Sequence, residues 1–164
     1  MKNSVFLSIS VAAACVLAGC GDDGKAGDPA DRLAGEWEYV SGKGTITCPV
    51  IPPMELVWMG KLPFRKGAMA GTLETDKQIA DQRCTLKLGM MGTTTASALP
   101  DQKCNVSATF MNMSIMATMT VTSYTFTLSA DGTMLTEMGS GSATGVGIPI
   151  TCQFASTGQL KKVQ

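Results

Sequence analysis

Six cysteines and twelve methionines are the side chains of this 164-residue sequence best suited to chemistry, and no histidine accompanies them. Without imidazole the usual general base, the Ser-His-Asp arrangement and the commonest zinc ligand are all missing. Other catalytic routes need partners at defined spacing. Ser and Lys form no S-x-x-K element, and the carboxylates scatter without an acid/base pair. Glu36 and Glu38 share one face of an extended segment, which suits a solvated edge. The glycines from Gly139 to Gly147 lack the spacing and the Lys-Ser/Thr of a phosphate-binding loop, so they predict a connection between strands. Asp22 and Asp23 lack the ligand spacing of a calcium loop. Met111, Met113, Met116 and Met119 form a thioether cluster of the kind that suits copper(I). On a strand, however, Met111, Met113, Ile115, Ala117, Met119 and Val121 share one face, which is the pattern of a core with thioethers filling irregular gaps. These residues predict a non-catalytic protein without metal or cofactor. Formal charge balances at 13 basic and 13 acidic residues, so no basic field exists to recruit nucleic acid.

The chain begins with the physics of an export signal. Lys2 supplies a positive start, Val5 to Val16 is apolar apart from Ser8 and Ser10, and small Ala18 and Gly19 precede Cys20. The apolar run is shorter than the about 20 residues that span a bilayer. Leu17-Ala18-Gly19-Cys20 resembles the cleavage box of bacterial lipoproteins. By that resemblance residues 1–19 are removed, the Cys20 thiol carries diacylglycerol, and the freed amine takes an acyl chain such as palmitate. Each buried methylene contributes about 0.8 kcal/mol, so three chains make a lasting membrane anchor. Gly21 stands where an aspartate retains some lipoproteins at the inner membrane, so the resemblance implies a bacterial cell-envelope protein with the outer membrane favoured. Residues 20–32, rich in Gly, Asp and Ala and carrying Pro29, predict a flexible tether with a reach of roughly 20 Å. Residues 33–164 then form a single domain.

Apart from Cys15 in the leader and Cys20, four cysteines remain, Cys48, Cys84, Cys104 and Cys152, an even set in an exported chain. None has the close partner expected of a four-thiolate metal site. Two disulfides follow, in one of three connectivities. Ile79-Ala80-Asp81-Gln82-Arg83-Cys84 is echoed by Leu99-Pro100-Asp101-Gln102-Lys103-Cys104, and both copies continue into alternating apolar residues. Two similar strand entries place their cysteines face to face, which favours Cys84 with Cys104 and leaves Cys48 with Cys152. The shorter loop would restrict the unfolded chain by about 3 kcal/mol.

The domain predicts as all-β, a small antiparallel barrel or sandwich of about eight to ten short strands. Strands are expected near Glu36–Val40, Gly44–Cys48, Met54–Met59, Ala68–Glu74, Cys84–Leu88, Asn105–Met111, Ser114–Thr122, Tyr124–Ser129, Thr133–Met138, Ile148–Phe154 and Gln159–Val163. The clearest hairpin turns at Ala130-Asp131-Gly132. A three-residue loop with Gly132 left-handed pairs Leu128 with Met134 and Phe126 with Thr136, which keeps Glu137 off the apolar face.

Gly35-Glu36-Trp37 on the first strand, the domain size and closure of the ends through Cys48 and Cys152 resemble a lipocalin-type barrel. In that family the tryptophan plugs the closed end and the open end can hold an apolar ligand. The family's Thr-Asp-Tyr stretch is not found, and none of Arg32, Arg65 and Arg83 sits where an arginine would pack on the tryptophan. Two functions are therefore expected. One is a structural or interaction module of the envelope with a filled core and an envelope protein as partner. The other is a carrier whose barrel, lined by Trp37, Met111, Met113, Met119 and Phe126, holds a small apolar molecule.

Overall fold

The computed structural model describes residues 27–49, 51–79, 82–110, 113–146 and 150–163, excluding the side chains of 108–110 and 113–115. The leader, the Cys20 box, the start of the tether and Met111 lie outside the described residues. The elements are β1 (Gly35–Cys48), β2 (Ile51–Val57), β3 (Lys61–Lys66), β4 (Thr72–Ile79), β5 (Gln82–Met91), β6 (Thr95–Ala98), β7 (Lys103–Phe110), β8 (Met113–Leu128), β9 (Met134–Gly145) and β10 (Thr151–Lys162). Eight of them close an antiparallel barrel, running β1, β3, β4, β5, β6, β8, β9, β10 and back to β1. Strand β2 extends the wall beside the far half of β1, and β7 does the same beside β8.

Several expected strands are parts of longer ones. β1 joins two of them through a bulge between Tyr39 and Ser41, and β8 joins two through a bulge between Val121 and Ser123. Each bulge adds one residue, so the inward face shifts from Trp37 and Tyr39 to Gly44 and Cys48 in β1, and from Met119 and Val121 to Tyr124, Phe126 and Leu128 in β8. The same device lets one strand serve two partners: β1 pairs with β3 at Gly35–Glu38 and with β2 from Lys43 onward. Strands β3 and β6 are short and were not expected from the sequence.

The lower half of the barrel is packed solid. Pro29–Arg32, expected in the tether, instead form a 3-10 turn capped by Asp28 with Ala30 buried, so the ordered domain begins before Leu33. Asp28 also accepts the Gly71 N–H at 2.9 Å, tying this turn to the start of β4. Above it Leu33, Trp37, Leu73, Leu88, Phe126, Leu135 and Leu160 are fully buried. Phe64 meets Phe126 edge to face at 4.8 Å. Both expected disulfides are present: Cys48–Cys152 ties β1 to β10, and Cys84–Cys104 ties β5 to the outlying β7.

Two local expectations are corrected. The hairpin after β8 closes at Ser129 and Met134 around four residues, with Gly132 left-handed at φ 75° as expected. The register then pairs Leu128 with Leu135 and Phe126 with Glu137, so Glu137 points into the barrel. The glycines from Gly139 to Gly145 belong to β9, not to a loop. Bulky rings occupy the space they leave: a Cβ at Gly139 would meet the Tyr124 ring, and one at Gly141 the Phe154 ring and the Thr120 carbonyl oxygen. Gly141→Ala should therefore lower stability by about 1–3 kcal/mol in urea denaturation. Gly27→Ala, with nothing within 4 Å of the added carbon, should leave it unchanged. Equal midpoints for the two variants would contradict the strand assignment.

Candidate functional site

Every second residue of β4 faces inward, which puts Leu73, Thr75, Lys77 and Ile79 in one row. Thr75 satisfies its hydroxyl on the Pro63 carbonyl at 2.8 Å. Lys77 has no such local acceptor and reaches across the lumen to Glu137 on β9. The side chains are 3% and 0% exposed. Buried charge is tolerated only when its remaining donors and acceptors are also met, and here they are met from three further strands. The Lys77 ammonium donates to Glu137 Oε1 and to the Tyr39 hydroxyl, the latter at 2.8 Å. Tyr39 donates in turn to Glu137 Oε2 at 2.5 Å. Tyr124 donates to Glu137 Oε1, and Ser156 of β10 donates to the Tyr124 hydroxyl at 3.1 Å. The Trp58 ring covers the ammonium at 4.3 Å from its centroid, a cation–π contact away from water.

Burial pushes the Lys77 amine down to about 8, with the Glu137 charge pulling the other way. Both tyrosine hydroxyls are pushed well above the ordinary phenol range, by burial first and then by the Glu137 charge. Inward glycines provide the room. Cβ atoms at Gly42 and Gly44 would meet Trp58, and one at Gly158 would meet Tyr39 and Glu137.

Outside this layer the wall is open on one side. β3 pairs with β4 only from Phe64 opposite Thr75 to Lys66 opposite Leu73, and beyond Thr75 β4 pairs with β5 alone among the described residues. The gap lies between the far half of β4 and the turn joining β2 to β3. It forms a lateral cleft of about 430 Å3, with Tyr39, Trp58 and Lys77 in its lining. Its apolar lining includes Leu56, Val57, Met59 and Pro63, and its rim carries Lys61, Arg65, Asp76 and Arg83. Val57, Trp58 and Met59 also border a second, shallower depression of about 910 Å3 against β1, where Val40 and Met138 are exposed.

Among the described residues, Trp37, Phe126 and Met119, expected to line a ligand-holding barrel, do not meet in one cavity. Trp37 and Phe126 are fully buried in the solid lower half. Trp37 donates its indole N–H to the Leu33 carbonyl at 2.8 Å, and Lys162 of the last strand lies 5.5 Å over its ring. Met119 borders a void of about 20 Å3 beside Phe154 and Trp58. Met113 begins β8 opposite Phe110 of β7, and its side chain and the whole of Met111 lie outside the described residues. Met116 is exposed on the opposite face, as the alternation requires.

Sequence reasoning missed Lys77 and Glu137. Both are charged residues that alternation alone places inside: Lys77 stands midway between buried Thr75 and Ile79, and Glu137 follows buried Leu135 by two.

Fold and site together define a closed eight-stranded antiparallel barrel, braced by two disulfides, with a buried ion pair behind a side opening. No family model matches the chain, and no curated protein or solved structure matches it.

Tyr39 and Tyr124 are the two tyrosines of the chain, so phenolate absorbance reports on this network alone. A phenol whose pKa is raised by folding contributes stability that is intact below the unfolded value near 10 and is lost as pH rises beyond it. Ultraviolet titration should show no phenolate while the near-ultraviolet circular dichroism stays native. Both should then ionise together as the protein unfolds in alkali. Independent titration near 10 in the folded protein would contradict the network.

Proposed function

We propose that this protein is a lipid-anchored module of the bacterial cell envelope that works by non-catalytic binding at the side of its barrel. The observation that carries this reading is the filled interior. Below the Lys77–Glu137 layer the lumen is solid with Trp37, Phe126 and the leucines. Beside that layer lies a void of about 20 Å3, which accommodates about one water. A carrier of apolar cargo needs a concave space of roughly 300–1,000 Å3, and the two described spaces of that size both open on the wall. Lys77 and Glu137, the pair most suggestive of acid/base chemistry, are already neutralised and hydrogen-bonded to one another, which favours a structural role for them.

The anchoring half of the proposal rests on the lysine start, the apolar core and the Leu17-Ala18-Gly19-Cys20 box. A Gly-Asp-Ala-rich segment between lipid and barrel would hold the wall within reach of neighbouring envelope components. The outer membrane is favoured by Gly21.

Two results test the halves separately. Cys20→Ala should shift the protein from the membrane to the soluble fraction, and blocking lipoprotein processing should leave a species that retains residues 1–19. Native mass spectrometry of residues 21–164, offered an uncharged diacylglycerol, should show the bare two-disulfide chain. A discrete adduct that disappears on Met119→Trp would support interior carriage instead.

A further inference from the structure

The outer edge of β2 carries main-chain groups that the fold does not use. The Trp58 N–H donates to the Gly42 carbonyl at 2.9 Å, and Val57 then stands opposite Lys43, Leu56 opposite Gly44 and Glu55 opposite Thr45. In an antiparallel pair successive residues turn their N–H and C=O groups to opposite sides. Met54, Leu56 and Trp58 therefore spend theirs on β1, while Glu55 and Val57 turn theirs outward. Strand β2 ends its side of the sheet, and the outward groups of Glu55 and Val57 have no main-chain partner among the described residues. Proteins usually guard such an edge. Here the guard covers the start of the strand, where Pro52 and Pro53 have no N–H to offer.

The unguarded end borders the lateral cleft. Leu56 and Val57 line the cleft from one side and Asp76 of β4 from the other. The β3–β4 ladder stops at this point: Phe64 opposite Thr75 is its last pair, and the next residue of β3 is Pro63, which cannot donate to a further rung. The Gly67 N–H donates to the Thr72 carbonyl at 2.9 Å, so the same alternation turns the main-chain groups of Thr72, Glu74 and Asp76 to the β3 side. Two strand edges thus border one cleft, with Leu56, Val57, Leu62 and Pro63 as apolar lining.

We propose that the cleft takes up an extended peptide segment of another protein, which adds to the outer edge of β2 as a strand. This rests on the reading that the protein binds at its wall, and it names the partner. Main-chain donors and acceptors that recur about every 7 Å, two strand residues apart, match a peptide in the same extended conformation. An acyl chain has no groups to meet them. The edge opens on a cleft of about 430 Å3 with β4 opposite, which suits a single chain better than a second folded barrel. Side chains of the added strand would alternate between Leu56, half-buried, and Val57, 69% exposed, so apolar or threonine residues fit both faces.

The probe is the blocked peptide acetyl-Thr-Val-Thr-Val-Thr-Val-Thr-amide, added to nitrogen-15-labelled residues 21–164. Without it the Glu55 and Val57 amides should exchange freely with deuterium, while Leu56, bonded to β1, is protected. Millimolar peptide should slow both edge amides about tenfold or more. N-methylation of the peptide at its threonines, or in a second analogue at its valines, blocks the donors along one edge of the strand. One of the two analogues should bind about tenfold more weakly or worse, the scale of lost hydrogen bonds. Val57→Pro removes a donor from β2 without touching a β1–β2 bond, so binding should fall while the near-ultraviolet circular dichroism stays native. Should that variant misfold, the analogues on the unaltered protein decide. No binding at millimolar peptide, equal binding by both analogues and the parent, or binding that leaves Glu55 and Val57 exchange unchanged would overturn strand addition and leave wall binding standing. Shifts confined to Met119 and Phe154 would overturn both.

Discussion

Lys77 and Glu137 neutralise one another in the middle of the barrel, and much of the molecule is arranged around that contact. Neither charge can reach water, so every remaining donor and acceptor must be met by protein. Tyr39, Tyr124 and Ser156 meet them from β1, β8 and β10, and Trp58 closes over the ammonium. Five strands and one turn thus converge on a single ion pair. The glycines at 42, 44, 139 and 158 follow from it, because a side chain at any of them would collide with one of these rings.

The function proposed follows from the same layer. A barrel of this strand number can hold a small ligand only when its lumen is left empty. Here apolar side chains fill the lower half, and the polar layer stands across the space above. The bulge at Val40, which redirects β1 from β3 to β2, leaves the far half of β4 without a neighbour on one side among the described residues. The opening therefore appears in the wall beside Trp58, where apolar lining and cations lie together.

Much of the architecture was legible in the residues. Alternation, turn glycines and the echo of Asp81-Gln82-Arg83-Cys84 in Asp101-Gln102-Lys103-Cys104 led to an antiparallel β domain and to both disulfide pairings. What the residues hid had one physical cause. Glu137 was assigned to solvent because a lone carboxylate on an apolar face is costly, and that assumption shifted the hairpin by one residue. Its partner Lys77 lies 60 positions away, so no local pattern announces that the charge is met. The glycines of β9 were misread for the same reason: a Gly-x-Gly run resembles a loop until the rings of Tyr124 and Phe154 on neighbouring strands are seen to need the space. The side cleft depends on which strands fail to pair, and spacing along the chain does not report that.

The most direct test is a double-mutant cycle on the ion pair, read by urea denaturation at neutral pH. Removing one partner strands a buried charge, so Lys77→Met and Glu137→Leu should each cost about 3–5 kcal/mol. Removing both leaves an apolar pair, and the double variant should regain most of that loss, giving a large coupling energy. Single variants that are nearly neutral, or losses that simply add, would mean that the two charges do not neutralise each other inside the barrel, and the account built on that contact would fail.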